Sequence, residues 1–412
     1  MRKFIVTEIL VIVALVAGFW IGKSTNSDTD YVRYYDKAEE TWQKARTADT
    51  PPVTLDDEDQ KRVREVRALY RQVFEKYPDS RWADDAMYQL ASRIARTDEE
   101  VFALFRRLIN NYPDSEWTDD ALFTIAIANY KTGEGVKETE VLESANTYYD
   151  RALVLFNRLI ENHPGSKLVD HARFNRAMCH YGKGQLNRTL QAFGELSEDF
   201  RDSDLIHSVV YYTGMIYTEQ RKLRDARVEF NKVVSAGHEE LTPLAQFGIA
   251  QTYFAEGRYD EAISSYNDVI QSDSEAKVAQ DSHFYIGWAH QKMEQYDEAI
   301  DQLEEAINRY PDNENAPNSQ FFVAQIYYVK GDTDGAIEAY RRVADNATFD
   351  YDTRRQAQYW IGHIHEKRNE ADLAVEAYQH LIKEFAEPHQ NPTHPSNKIN
   401  ENYIQNLQVS DF

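Results

Sequence analysis

Cysteine is almost missing: Cys179 is the single one in 412 residues. One cysteine excludes an intramolecular disulfide framework and any paired-cysteine redox or zinc motif. It also stands too far from the N-terminus to carry the lipid of a lipoprotein, so we expect a small buried hydrophobe there. Proline (11) and glycine (16) are scarce, which argues against a β-rich or disordered chain and for helices. Positive charge is in deficit, 46 Lys and Arg against 69 Asp and Glu, a net −23. Nucleic acid is therefore not expected as a partner, because phosphate binding needs a basic surface. Catalytic signatures are absent too: there is no P-loop, no GxSxG and no HExxH. His363 and His365 are two apart on a helix and diverge. Asp56, Asp57, Glu58 and Asp59 lack the glycine and spacing of a calcium loop. The sequence thus predicts no enzyme, no metal and no cofactor.

Long apolar runs are missing with one exception, Phe4 to Gly22. A helix of this length rises about 30 Å, enough to cross a hydrocarbon core. Arg2 and Lys3 precede it, and Asp28 and Asp30 follow. The positive-inside bias makes residues 1–3 a cytoplasmic stub, 4–22 a retained membrane helix, 23–29 a linker, and sends the body outward; a cleaved signal peptide is the rival reading, which Glu8 and the lack of a small-x-small site near Ala17 oppose. Glu8 is a carboxylate inside the run, which is costly and marks a function or a snorkelling position. Phe4, Glu8 and the following Ile9 to Ala14 resemble the start of a mature type IV pilin. That resemblance implies a helix that leaves the membrane for a filament core, with Glu8 pairing to a neighbour. Lys3 departs from the pattern, which has Gly before the Phe. Ala14, Gly18 and Gly22 share one helix face, where small residues let two backbones approach.

From residue 30 to 387 the chain is periodic. Glu256 to Ile270, EGRYDEAISSYNDVI, returns as MEQYDEAIDQLEEAI from Met293 and KGDTDGAIEAYRRVA from Lys330. Ala262, Ala299, Ala336 and Ala374 stand 37, 37 and 38 residues apart. Each follows an apolar helix with a small residue at a fixed place: Gly214, Ala250, Gly287, Ala324, Gly362. The unit resembles the tetratricopeptide repeat, a helix–turn–helix solenoid module. Nine units are expected, with second helices centred near Tyr70, Phe105, Phe156, Phe193, Phe230, Tyr266, Leu303, Tyr340 and Tyr378. Insertions at Thr47 to Asp59 and Thr132 to Ala145 are expected to form surface loops or short added helices. The fold class is an all-α superhelical solenoid behind one hydrophobic helix.

The joints carry their own pattern. YPDSRWADDA, from Tyr77, returns as YPDSEWTDDA from Tyr112. Proline ends one helix, Ser80 and Ser115 are placed to cap the next, and the aspartates suit its positive end. These joints resemble bacterial extracytoplasmic repeat proteins, the repeat lipoprotein of the outer-membrane β-barrel assembly machine and the Tol–Pal coordinator among them. The resemblance implies an envelope or surface location. Residues 388–412 form a tail in which Ser396 starts a short helix with Ile399, Tyr403 and Leu407 on one side, either a cap for the array or a contact with a neighbouring copy.

First helices line the inner face of this fold. Matched positions there hold Tyr211, Phe247, Phe284, Phe321 and Tyr359, with Trp288 one turn beyond Phe284. Such a stripe suits an apolar or extended polypeptide, and acidic flanks such as Glu219 and Glu366 favour basic partners. The expected function is a membrane-anchored, extracytoplasmic scaffold for protein partners. The alternative is a filament subunit with the apolar helix in its core, the association positions being Glu8, Ala14, Gly18 and Gly22.

Overall fold

In the computed structural model, described residues are 30–45, 57–95, 97–138, 142–272 and 277–385. The apolar run 4–22, with Glu8, Ala14, Gly18 and Gly22, lies outside them, as does the tail from 388. Among the described residues no helix is long and apolar enough to cross a membrane. They form helices and no strands. The helices are α1 Asp30–Ala45, α2 Asp57–Lys76, α3 Ala83–Gln89, α4 Asp98–Asn111, α5 Thr118–Lys137, α6 Leu142–Asn162, α7 Val169–Gly182, α8 Leu186–Asp199 and α9 Ile206–Glu219. They continue as α10 Leu223–Ala236, α11 Leu241–Ala255, α12 Tyr259–Ser272, α13 Lys277–Lys292, α14 Tyr296–Arg309, α15 Ala316–Val329, α16 Thr333–Ala344, α17 Tyr351–Lys367 and α18 Ala371–Phe385. A π-helical turn, Leu90–Ile94, extends α3. Among the described residues, consecutive helices pair as first and second members of nine repeats, and each expected second-helix centre falls in a second helix. The chain divides into two compact units, Met1–Val209 and Val210–Phe412.

Several pairs are keyed by a large side chain on a small one. Phe230 of α10 is fully buried. A Cβ on Gly214 would lie 2.7 Å from its ring, and one on Gly248 of the next first helix 2.8 Å. Leu303 meets Gly287 and Tyr378 meets Gly362 in the same way. In the N-terminal unit, Tyr149 is wedged between Gly133 and Gly182, and its hydroxyl donates to Glu134. Here the described ends of the second insertion are helical: α5 runs to Lys137 and α6 begins at Leu142. Tyr149 fills the added length.

The turn inside a repeat is a Schellman motif. Gly257 N–H donates to Phe254 and Arg258 N–H to Tyr253. The same bond pair recurs at 184/185, 221/222, 294/295, 331/332 and 369/370. The residue that turns left-handed is Gly184, Gly257 or Gly331 in three repeats, but Arg221, Glu294 and Asn369 in the others, at φ near +60°. A side chain in that region costs about 1 kcal/mol that glycine avoids. Glu294→Gly is therefore expected to stabilise the C-terminal unit by about 1 kcal/mol, read from the urea midpoint.

The joints between repeats correct one expectation. At Tyr112, Ser115 and Thr118, two successive i→i+3 bonds make the turn, and the same steps recur from Tyr77, His163, Phe200 and Tyr310. Ser115 does not cap α5. Its hydroxyl accepts the N–H of Trp117, two residues on, while Ser80 Oγ makes no hydrogen bond. The helix starts beyond the serine's reach because the turn needs three more residues. Side-chain caps occur instead at Thr97, Asp332 and Asp350, which accept from Glu100, Gly335 and Thr353.

Neighbouring joints are also bonded. Trp117 Nε1 donates to Asp85 at 3.0 Å, and Asn315 Nδ2 donates to Asp281 at 2.7 Å. Both donors lie at one repeat position and both acceptors at another, so different chemistry makes the same link.

Candidate functional site

Chemistry-bearing groups are mostly committed to structure. Cys179 is fully buried, and burial pushes its thiol up to about 12. It is expected to resist a thiol reagent until the chain unfolds, a test that absorbance follows directly. His365 bonds Glu370 at 2.7 Å, and His363 stacks on Tyr359, so the two imidazoles diverge. Among the described residues Asp170, His171 and Asp204 have donor atoms within 4.8 Å of one another. Burial raises the Asp170 carboxyl, but hydrogen bonds from His171 and Ser203 outweigh it and hold it below the usual range. Asp170, held by His171 of its own helix and Ser203 of the next joint, links two repeats.

The first helices of the C-terminal unit differ from the rest of this acidic chain. α11 (LTPLAQFGIAQTYFA) and α15 (APNSQFFVAQIYYV) carry no charge at all. Their aromatic rings join those of α13 and α17 in a ladder. Phe247 meets Tyr285 at 5.5 Å, and Phe254 meets Trp288 at 5.0 Å. Phe284 meets Phe322 at 6.3 Å, and Tyr328 meets Trp360 at 5.5 Å. The ladder crosses four consecutive first helices because each offers rings at positions about 37 residues apart.

The expected row lies on this ladder, with its rings turned partly inward. Tyr211 packs on Phe230, Phe247 on Tyr266, Phe321 on Tyr340 and Tyr359 on Tyr378, each against the second helix of its own repeat. Tyr211, Phe247, Phe321 and Trp288 are half-buried. Phe284 is buried, whereas Tyr359 keeps 47% of its surface exposed. The row is thus open at its C-terminal end and closed near its middle. Phe254 and Tyr328 were not among the expected residues. They stand two repeats apart, one turn beyond the small residue of α11 and α15, and that spacing is the signal that would find them.

Amide side chains are interleaved with the rings. Gln251 hydrogen-bonds Tyr285. The side-chain carbonyls of Gln246, Gln320 and Gln325 are buried and accept no hydrogen bond. Of the acidic flanks, Glu366 accepts from the Tyr378 hydroxyl at 2.9 Å. The face is aromatic, amide-bearing and close to neutral.

A helical hairpin of this length, with a small residue in the first helix under a large one in the second, is the module of a repeat-built interaction protein. Models of the tetratricopeptide repeat match residues 241–312, 286–351 and 356–387. The chain is a tetratricopeptide repeat protein. Among solved structures it is similar to MamA, at 22% identity over 42% of this chain and 93% of that one, with a TM-score of 0.34. It is similar to a tetratricopeptide repeat protein from Parabacteroides merdae, at 13% identity over 74% and 98%, with a TM-score of 0.43. It is also similar to YrrB, described as a repeat protein with an unusual peptide-binding site, at 17% identity over 52% and 96%, with a TM-score of 0.34. No curated protein matches the sequence.

Proposed function

We propose that this chain is a scaffold of the cell envelope, held in the membrane by residues 4–22, whose C-terminal unit binds an extended stretch of a protein partner. The carrying observation is the aromatic ladder across α11, α13, α15 and α17, of which α11 and α15 carry no charge. Partly covered rings offer apolar area at little entropic cost to a partner's side chains. Membrane attachment rests on the hydropathy of residues 4–22, and the outward body on Arg2 and Lys3.

The test has two arms. Random peptides selected on the immobilised repeat region are expected to bind Tyr359→Ala about tenfold more weakly, with the melting temperature unchanged. Equal binding by the variant would remove the ladder from the reading. The full chain is expected to partition into liposomes, and deletion of residues 4–22 to leave it in the supernatant; partitioning after deletion would remove the anchor.

A further inference from the structure

Two Asn-x-Thr triplets lie among the described residues, Asn187-Arg188-Thr189 and Asn346-Ala347-Thr348. The triplet is the acceptor motif for an N-linked glycan on an outward-facing protein. It is short enough to arise by chance, and the surroundings of each copy separate the two.

Asn187-Arg188-Thr189 is closed by its helix. It lies in the first turn of α8, where residues two apart point about 200° away from each other. Thr189 is fully buried. Its hydroxyl donates to the carbonyl of Gln185 at 3.3 Å and faces that of Ala177, in α7, at 3.5 Å. Asn187 is exposed on the other side. The hydroxyl and the amide of this triplet cannot meet while the helix stands.

Asn346-Ala347-Thr348 is open. It lies in the joint between α16 and α17, outside both helices. The chain turns there on backbone bonds, Asn346 N–H to Val343 and Phe349 N–H to Asn346. Phe349 is buried and anchors the turn, whereas Asp345, Ala347 and Thr348 are exposed. Asn346 Oδ1 accepts both the Thr348 N–H at 3.1 Å and the Thr348 hydroxyl at 2.7 Å. Two donors on one atom fix it as the amide oxygen, so the other end is the nitrogen. That Nδ2 has no hydrogen-bond partner among the described residues. Both donors draw electron density towards Oδ1 and make an Nδ2 proton easier to remove. The motif's hydroxyl is thus already seated on the amide it serves, and the reactive nitrogen is unclaimed.

We infer that Asn346 is the acceptor of an N-linked glycan, transferred from an oligosaccharide on a lipid diphosphate carrier. The inference rests on the outward body proposed above. In the transfer, Nδ2 bonds to the anomeric carbon of the first sugar as the bond from that carbon to the diphosphate oxygen breaks. The lipid diphosphate leaves with the electron pair, and the Nδ2 proton passes to a base of the transferase. The glycan then stands on the joint at residues 345–350.

The full chain, purified from the membranes of its own host and digested with trypsin, tests this. Peptide 343–354 holds Asn346 as its single asparagine. Mass spectrometry with electron-transfer fragmentation is expected to find a sugar mass on Asn346 and none on Asn187. Thr348→Val keeps the side chain's shape without the hydroxyl and should lower occupancy at least about tenfold, while Thr348→Ser should stay within about threefold. A bare Asn346, a glycan on Asn187 in its place, or equal occupancy in Thr348→Val overturns the inference. Protease added outside the cytoplasmic membrane reads the location separately. A bare Asn346 on a body that protease cleaves overturns the glycan and spares the outward reading; a body that protease cannot reach overturns both.

Discussion

Phe230→Ala is expected to destabilise the C-terminal unit by about 3–5 kcal/mol, at the upper end of the range for truncating a buried aromatic ring. The reason is what surrounds the ring. Gly214 and Gly248 press backbone against it from two first helices, and glycine has no side chain to swing into a cavity. Neighbouring Ala226 and Ala245 are fully buried and equally short. The void can close only if helices shift, which breaks packing elsewhere. Urea unfolding with hydrogen exchange resolves the effect: α10 and α11 should lose protection at far lower urea, while α2 and α4 in the other unit keep theirs. A loss below about 1.5 kcal/mol would show that the helices do close on the gap, against the packing argument. Gly248→Ala should point the same way by about 1–3 kcal/mol, through overpacking.

The second large effect is on pH. Asp85 and Asp120, in the first turns of α3 and α5, are pushed up to about 6, chiefly by burial. A raised carboxyl in the folded state binds its proton at a pH where the unfolded chain has lost it. Stability contributed by these groups is therefore present below about pH 4 and lost as pH rises through about 6. Ionising such a carboxyl inside the fold at neutral pH costs about 3 kcal/mol per group; partial solvent access reduces this to about 2. The Asp85→Asn, Asp120→Asn pair is expected to raise stability at pH 7.5 by about 3–4 kcal/mol. It should also flatten the decline between pH 4 and 6. Thermal unfolding of both proteins at pH 4, 5, 6 and 7.5 reads this, and parallel curves would refute it. Asp120 carries the cleaner case, because Asp85 also accepts from Trp117 and Asn must present its carbonyl to keep that bond.

Periodicity made the solenoid legible in the sequence. A 37-residue spacing that places Ala262, Ala299 and Ala336 in register leaves few packings open, and the second-helix centres follow from it. Chemistry at the joints was less legible. The Ser-x-Trp pattern suggests a cap, yet Ser115 bonds Trp117 because the turn geometry, set by backbone bonds from Tyr112 and Ser115, places the helix start further on. The aromatic row could be read as positions but not as exposure. Phe284 and Tyr359 occupy equivalent places, and only three-dimensional neighbours bury the first and leave the second open. Phe254 and Tyr328 share one register position, but the repeat between them holds Gln291 there, which interrupts the pattern. Glycine was the most informative residue where it pairs with a ring across two helices, a relation that one-dimensional spacing shows only in part.

The links between joints have a consequence for how such a chain can change. Trp117 to Asp85 and Asn315 to Asp281 hold equivalent places with partners of different size and hydrogen-bonding character. The backbone periodicity would allow any module to follow any other, but these junctions are specific to their neighbours. Excising the module on either side of such a seam would leave a donor or an aspartate without its partner. Growth and loss are therefore easiest at the ends, where one junction is disturbed and not two. At these two seams, neighbouring modules are inherited together or lose a bond.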